Sequence, residues 1–405
     1  MKLLAVADSD SYLKWAAGLL DTLPADWTTL LTVVRTPIAP SPAQIRAAVS
    51  GTRAAQAPPV LPARALRRTA GRMRPDIVLV ACTGPVVDVL VADVFGDLAP
   101  RPVFVTGLPG ISIPATEKAW LYRSGCDLFI VHSGREVAEF TRIGAELGVR
   151  GTVALARLPY LDPPAPAGAA EPRPRNKVVF APQAKVPRRR EERERILLAL
   201  AGLAERRPDL EVVVKLRALA GERQTHNERH PYERLWRSLV AAGRVRDDGL
   251  LTFAAGPMHE HLAAAAGFVT VSSTAALEAI RHGVPLLVLS DFGVSAEMIN
   301  VVFEGSGCLG TLDDLVAARF RTPDPGWCRA NYFHDPSASD AVARMRALVA
   351  QARLGRLGPA RSLLAGPAHA AARRRARMRL EVPPRVLRAG YRAKRRMRRY
   401  LSALR

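Results

Sequence analysis

The chain has 405 residues, 48% of them hydrophobic, enough for two ordinary cores, because single cores stop growing near roughly 250–300 residues. Its formal charge is +22, and its four cysteines, Cys82, Cys126, Cys308 and Cys328, lack any Cys-x-x-Cys spacing, which excludes a recognisable zinc or redox motif and predicts reduced thiols. The amino-terminal apolar run 3–7 stops at Asp8, far short of a membrane span or a secretion signal, so the expected location is cytoplasmic.

In chain order, short apolar runs at 3–7, 30–34, 77–81, 103–106 and 128–132 predict strands separated by helical or loop sequence, an alternating α/β layer structure over residues 1–158. Polar or turn-forming residues follow several of them. Asp8-Ser9-Asp10 comes after the first, Gly107-Leu-Pro-Gly110 after the fourth, and His132-Ser133 closes the fifth. Residues 159–177 hold many prolines, which forbid regular structure and predict an interdomain linker.

A second α/β domain is expected over 178–350, with strands at 178–181, 212–216, 250–253, 268–271 and 286–289. Helix 188–205 carries Ile196, Leu197, Leu200 and Leu203 on one face and should pack on that sheet. Gln183 and Lys185 follow the first of these strands; Lys215 and Arg217 end the second. The predicted fold is α/β: two doubly wound, Rossmann-like domains facing a cleft between their carboxyl edges, with a basic helical or disordered tail over 351–405.

Residues 267–300 are the most informative stretch. Strand 268–271 runs into Ser272-Ser273-Thr274, then helix 275–282 ended by Gly283 and Pro285, then strand 286–289 and a polar loop from Asp291. A helix starting there aims unpaired N–H groups, a partial positive charge and three hydroxyls at one point, a place suited to phosphate oxygens. Glu278 falls on the same helix face as Thr274 and suits ribose hydroxyls. The plainer reading is that the turn only caps a helix and Glu278 is a solvated acid. Elsewhere, His259-Glu-His261 points its imidazoles to different helix faces, and no glycine pattern of a dinucleotide or phosphate loop occurs.

The order strand, hydroxyl turn, helix with a Glu, Gly-x-Pro, strand resembles the donor half of glycosyltransferases with the two-domain GT-B fold, and SSTAALEAIRHGVP is similar to the serine/threonine motif of bacterial capsule, polysialic acid and teichoic acid transferases. ADSDSYLKW and VVFAPQAKVP also resemble an actinobacterial family of proposed glycosyltransferases. The resemblance implies that Ser272, Ser273 and Thr274 hold the donor's phosphates and Glu278 its ribose, with Gln183, Lys185, Lys215 and Arg217 converging on the phosphates. It departs from the family in two places. Glu297-Met-Ile-Asn300 stands where Gln-x-x-Asn binds the donor sugar, and Lys215-Leu-Arg217-Ala stands where Lys-x-His-Pro is usual.

An inverting transfer needs a general base near the acceptor hydroxyl. Asp8 or Asp10 is the first expectation and His132 the second, with Ser9, Gly107, Gly110 and Ser133 on the acceptor side. The alternative is that Asp10 caps a helix and His132 is a satisfied strand-end histidine. Neither a cofactor nor a metal is required; the nucleotide sugar is a co-substrate and the acceptor an envelope glycan or lipid. The rivals are a non-hydrolysing nucleotide-sugar epimerase and an inactive nucleotide- or membrane-binding scaffold.

The tail differs in kind. Residues 351–405 hold seventeen Lys or Arg against one acid, Glu381, so about +16 of the +22 lies there. Arg373, Arg374, Arg375, Arg377 and Arg379 form one cluster, and Arg392, Lys394, Arg395, Arg396, Arg398 and Arg399 a second. With apolar residues between the cations, the segment is expected to lie on an anionic membrane, at the inner face of the plasma membrane, rather than on nucleic acid; a solvated extension is the alternative.

Overall fold

Alternation of side chains along β1 (Lys2–Ala7) sends Leu3, Ala5 and Ala7 to one core and Leu4 and Val6 to another, the signature of a strand covered on both faces. The structure, a computed structural model, describes residues 1–54, 56–161, 174–216, 228–246, 248–382 and 386–387. Its first sheet adds β2 (Thr28–Val34), β3 (Val60–Leu61), β4 (Ile77–Ala81), β5 (Val103–Gly107), β6 (Leu128–Val131) and β7 (Thr152–Leu155). The order is β3-β2-β1-β4-β5-β6-β7, all parallel.

The second sheet comprises β8 (Lys177–Phe180), β9 (Glu211–Lys215), β10 (Thr252–Ala254), β11 (Ala265–Thr270), β12 (Leu286–Leu289) and β13 (Leu309–Gly310). Its order is β10-β9-β8-β11-β12-β13, again parallel. Parallel neighbours require crossovers, which helices supply, and the result is two doubly wound domains of the GT-B kind. The expected helix over 188–205 is Arg190–Arg206, with Ile196, Leu197, Leu200 and Leu203 buried on the second sheet's core.

The chain crosses between domains twice. After the second sheet it returns, and helix Ala341–Arg353 packs on β5, β6 and β7 through Ala341, Met345 and Val349. Residues 341–350, assigned from sequence to the second domain, therefore belong to the first. Asp340 fixes the return, since its Oδ1 accepts from Leu155 N at 2.8 Å and its N–H donates to Leu155 O at 3.0 Å.

The tail's first part is also docked rather than free. In helix Ala370–Glu381, Ala376 and Leu380 enter the core beside Val86, Val87 and Phe95. Arg373 pairs with Asp88 at 2.8 Å and Asp93 at 3.0 Å, and Arg377 with Asp93 at 2.6 Å. These two cations and two apolar residues thus face protein, not lipid. The second cationic cluster, Arg392 to Arg399, lies outside the described residues. Among the described residues no helix is long and apolar enough to cross a membrane.

Candidate functional site

The carboxyl edges of the two sheets meet. Gly110 and Ile111, in the loop after β5, touch Thr274, in the turn after β11, and Ile111 N donates to Thr274 Oγ1 at 3.3 Å. A Cβ at Gly110 would lie 2.5 Å from that oxygen, so only glycine permits the approach. Lys14, on helix Asp10–Asp21 after β1, pairs with Glu278 at 3.2 Å and lies 4.8 Å from the Tyr160 ring centre. No local sequence signal marks Lys14, because its partner is 264 positions away.

On the second domain's side, neighbouring strands β9, β8, β11 and β12 each end in one of the donor candidates' loops. Ser273 and Thr274 are half-buried there, and helix Ala275–Arg281 starts with no side-chain cap. Ser273 Oγ instead accepts from Ala275 N at 3.2 Å. Ser272 is buried and donates to Ile299 O at 2.6 Å, so its hydroxyl proton is already committed to the protein, which corrects the phosphate role expected of it. Asn300 is fully buried; its Oδ1 accepts from Ser295 N at 3.0 Å and its Nδ2 donates to Gly293 O at 3.1 Å. It holds the 293–300 loop and does not reach a donor sugar, whereas Glu297 is exposed.

The loop after β8 is braced by a buried guanidinium. Arg193 donates to Pro187 O at 2.8 Å, Ala184 O at 2.9 Å and His230 O at 3.0 Å, and pairs with Glu228. Five N–H groups in a rigid fork suit such a task. The same brace sets the backbone that carries Gln183, half-buried, and Lys185, exposed; Gln183 Oε1 accepts from Lys185 N. Lys215 closes β9, half-buried, and Arg217 lies outside the described residues.

On the acceptor side, Asp8 is completely buried, and its Oδ2 accepts from Thr83 N at 2.9 Å and from the Thr83 hydroxyl. Burial, opposed by those hydrogen bonds, pushes its pKa up to about 6. Asp8 therefore positions Thr83 and does not itself reach a substrate, a correction to its expected role. Asp10 opens helix Asp10–Asp21 half-buried, while Ser9, buried, takes the N-cap position without a side-chain cap bond.

His132 is likewise sealed. Its Nδ1 lies 2.8 Å from Ala156 O, its Nε2 accepts from the Trp15 indole N–H at 2.9 Å, and Leu108 O lies 2.8 Å from the same nitrogen. Burial lowers its pKa to about 4, so the ring is neutral and structural, not an acceptor base. Ser133 caps helix Gly134–Glu146 through Glu136 N at 3.2 Å. Gly107 is buried against Trp15, 2.3 Å from where a Cβ would stand, so it serves packing rather than acceptor approach.

A buried carboxylate beside His132 and Ser133, at the start of the next helix, holds this loop cluster together. Glu136 Oε1 accepts from Ser112 N at 2.7 Å and from Tyr332 OH at 2.6 Å, and Oε2 from His132 N at 2.7 Å. Burial raises its pKa to about 7 despite these bonds. Tyr332 belongs to the segment returning from the second domain, so Glu136 ties the second crossing to the loop that meets Thr274.

Among the described residues no His, Cys, Asp and Glu group could hold a metal ion. A cavity of about 430 Å³ lined by Ile280, Val284, Pro285, Pro325, Cys328 and Phe333 lies at the opposite, amino-terminal end of β12, away from the facing edges.

The fold is shared with solved structures. S. aureus MnaA in its UDP co-structure is 12% identical over 88% of this chain and 97% of that one, with a TM-score of 0.57. The UDP-GlcNAc 2-epimerase of Methanocaldococcus jannaschii is 10% identical over 86% and 100%, at 0.53. That of Neisseria meningitidis bound to UDP-GlcNAc is 11% identical over 88% and 100%, at 0.51. Identities this low speak for architecture alone. No curated protein matches the chain. The family model described as "Putative glycosyltransferase (DUF6716)" matches residues 3–348.

Proposed function

Because the chain belongs to this glycosyltransferase family, we propose that it moves a sugar, or a related polyol phosphate, from a nucleotide-activated donor to a hydroxyl of an envelope glycan or lipid acceptor. The observation that carries the reading is the contact of Gly110 and Ile111 with Thr274. It sets the turn suited to a donor's phosphates directly against a loop of the opposite domain, the arrangement a two-substrate transfer needs.

In this reading the N–H groups at the start of helix Ala275–Arg281, the Ser273 and Thr274 hydroxyls, Lys185 and Lys215 receive the diphosphate and stabilise the charge it gains on leaving. Glu278 takes the ribose after Lys14 is displaced, or binds it together with Lys14. Asp10, a half-buried carboxylate just after β1, accepts the proton of the attacking hydroxyl. The bond from the anomeric carbon to the phosphate oxygen breaks as the bond to the acceptor oxygen forms, and the nucleotide departs with the electron pair. Similar proteins described as binding UDP or UDP-GlcNAc support a uridine nucleotide as the first donor to try.

Thermal melting with UDP-, GDP-, CMP- and CDP-activated donors tests the reading. A true donor at about a hundred times its dissociation constant adds about 2.7 kcal/mol of stability. The S273A/T274A variant should lose that response. A response that survives both substitutions puts the nucleotide elsewhere, and an epimerised sugar formed without any acceptor makes the chain an epimerase instead.

A further inference from the structure

The family match ends at residue 348, and the residues beyond it build a separate face on the first domain. Helix Ala370–Glu381 is clamped from below. Ala376 and Leu380 are buried, Arg373 and Arg377 pair with Asp88 and Asp93, and Leu363 N donates to Ser124 Oγ at 2.9 Å in the approach to the helix. Helical spacing then turns Arg374, Arg375, Met378 and Arg379 outward, and all four are exposed.

The apolar surface is distributed unevenly. Five large hydrophobic residues are exposed among the described residues, and four of them fall in this segment: Leu354 at 66%, Leu363 at 43%, Met378 at 46% and Val386 at 59%. Single exposed apolar residues are ordinary, but here they alternate with Arg356, Arg361, Arg374, Arg375 and Arg379, also exposed. Cations that reach phosphate headgroups beside apolar side chains that enter the acyl boundary are what an interfacial helix requires. Nucleic acid would use the charge but offers nothing to Met378 or Leu363.

We propose that residues 354–382 form a docking face for an anionic phospholipid bilayer, held to the first domain by the Asp88 and Asp93 clamp. The inference concerns residues beyond the family match and does not depend on the reaction at the facing edges. Each outward arginine contributes attraction to a negative leaflet and none is needed for the clamp, so the face can be altered without undocking the helix.

Cosedimentation of the full chain with phosphatidylcholine vesicles, and with the same vesicles enriched in phosphatidylglycerol, tests this. The wild type should bind only the anionic vesicles. R374E/R375E/R379E should reduce partitioning by about tenfold or more with an unchanged melting temperature, and M378S should weaken the binding that persists at high salt. Charge reversal K394E/R395E/R398E should cost less than the helix variant. Should the triple helix variant fail to fold, M378S alone decides. Equal partitioning of wild type and helix variants, loss confined to the distal reversal, or preference for duplex DNA that ignores Met378 overturns the proposal.

Discussion

Glu136 and His132 adjoin in the structure but oppose each other in their response to pH. Glu136 titrates near 7 in the folded protein and near 4.5 in its ordinary state, so its contribution to stability is complete below about 4.5 and is lost as pH rises through 7. His132 titrates near 4 when folded and near 6.5 otherwise, so its contribution is complete above about 6.5 and is lost as pH falls through 4. Glu136→Gln stays uncharged throughout. Its stability relative to wild type should therefore improve by about 3 kcal/mol between pH 4.5 and pH 8, measured by melting both proteins across that range; a constant gap would show that Glu136 is not held in a dry site. For Asp10→Asn, the expectation is a turnover about 10²–10⁴ lower with donor-induced stabilisation intact. Loss of that stabilisation would move Asp10 into donor binding.

At the level of elements, the sheets were readable because parallel strands buried on both faces are continuous apolar runs: 77–81 and 286–289 coincide with β4 and β12. β3 and β13 escaped notice, since two-residue strands carry no periodic signal, and β7 begins with an exposed Thr152. The loops at strand ends were equally legible, because polar residues after an apolar run mark a carboxyl edge. Their individual duties were not. Ser272 turns inward only because Ile299, at φ +59°, presents its carbonyl, and His132 is silenced by Trp15 and Ala156, partners that sequence proximity does not reveal. The loop after β5 makes a sharper test of the interface. Gly110→Ala places a methyl 2.5 Å from Thr274 Oγ1 and must part the two loops. Transfer should slow about 10²-fold, the usual effect of roughly 1 Å of misalignment, while thermal stabilisation by donor persists. An unchanged rate would mean that the contact opens during turnover.

Taken whole, the molecule is one domain with another inserted into it. β1 to β7 and helices Ala341–Arg353 and Ala370–Glu381 form the host, and the second sheet is the insert. Truncation after Ser339 should therefore uncover the apolar faces of β5, β6 and β7, normally covered by Met345 and Val349. Aggregation, or a broad melt without a cooperative transition, is the expected result in size-exclusion chromatography and calorimetry; a monodisperse, sharply melting product would show that the host needs no late helix. The return of Ala341–Arg353 also bears on synthesis. Seven host strands leave the ribosome first, yet two of their covering helices are translated only after the entire insert. The nascent host must wait half-clothed, with β5 to β7 uncovered until helix Ala341–Arg353 emerges.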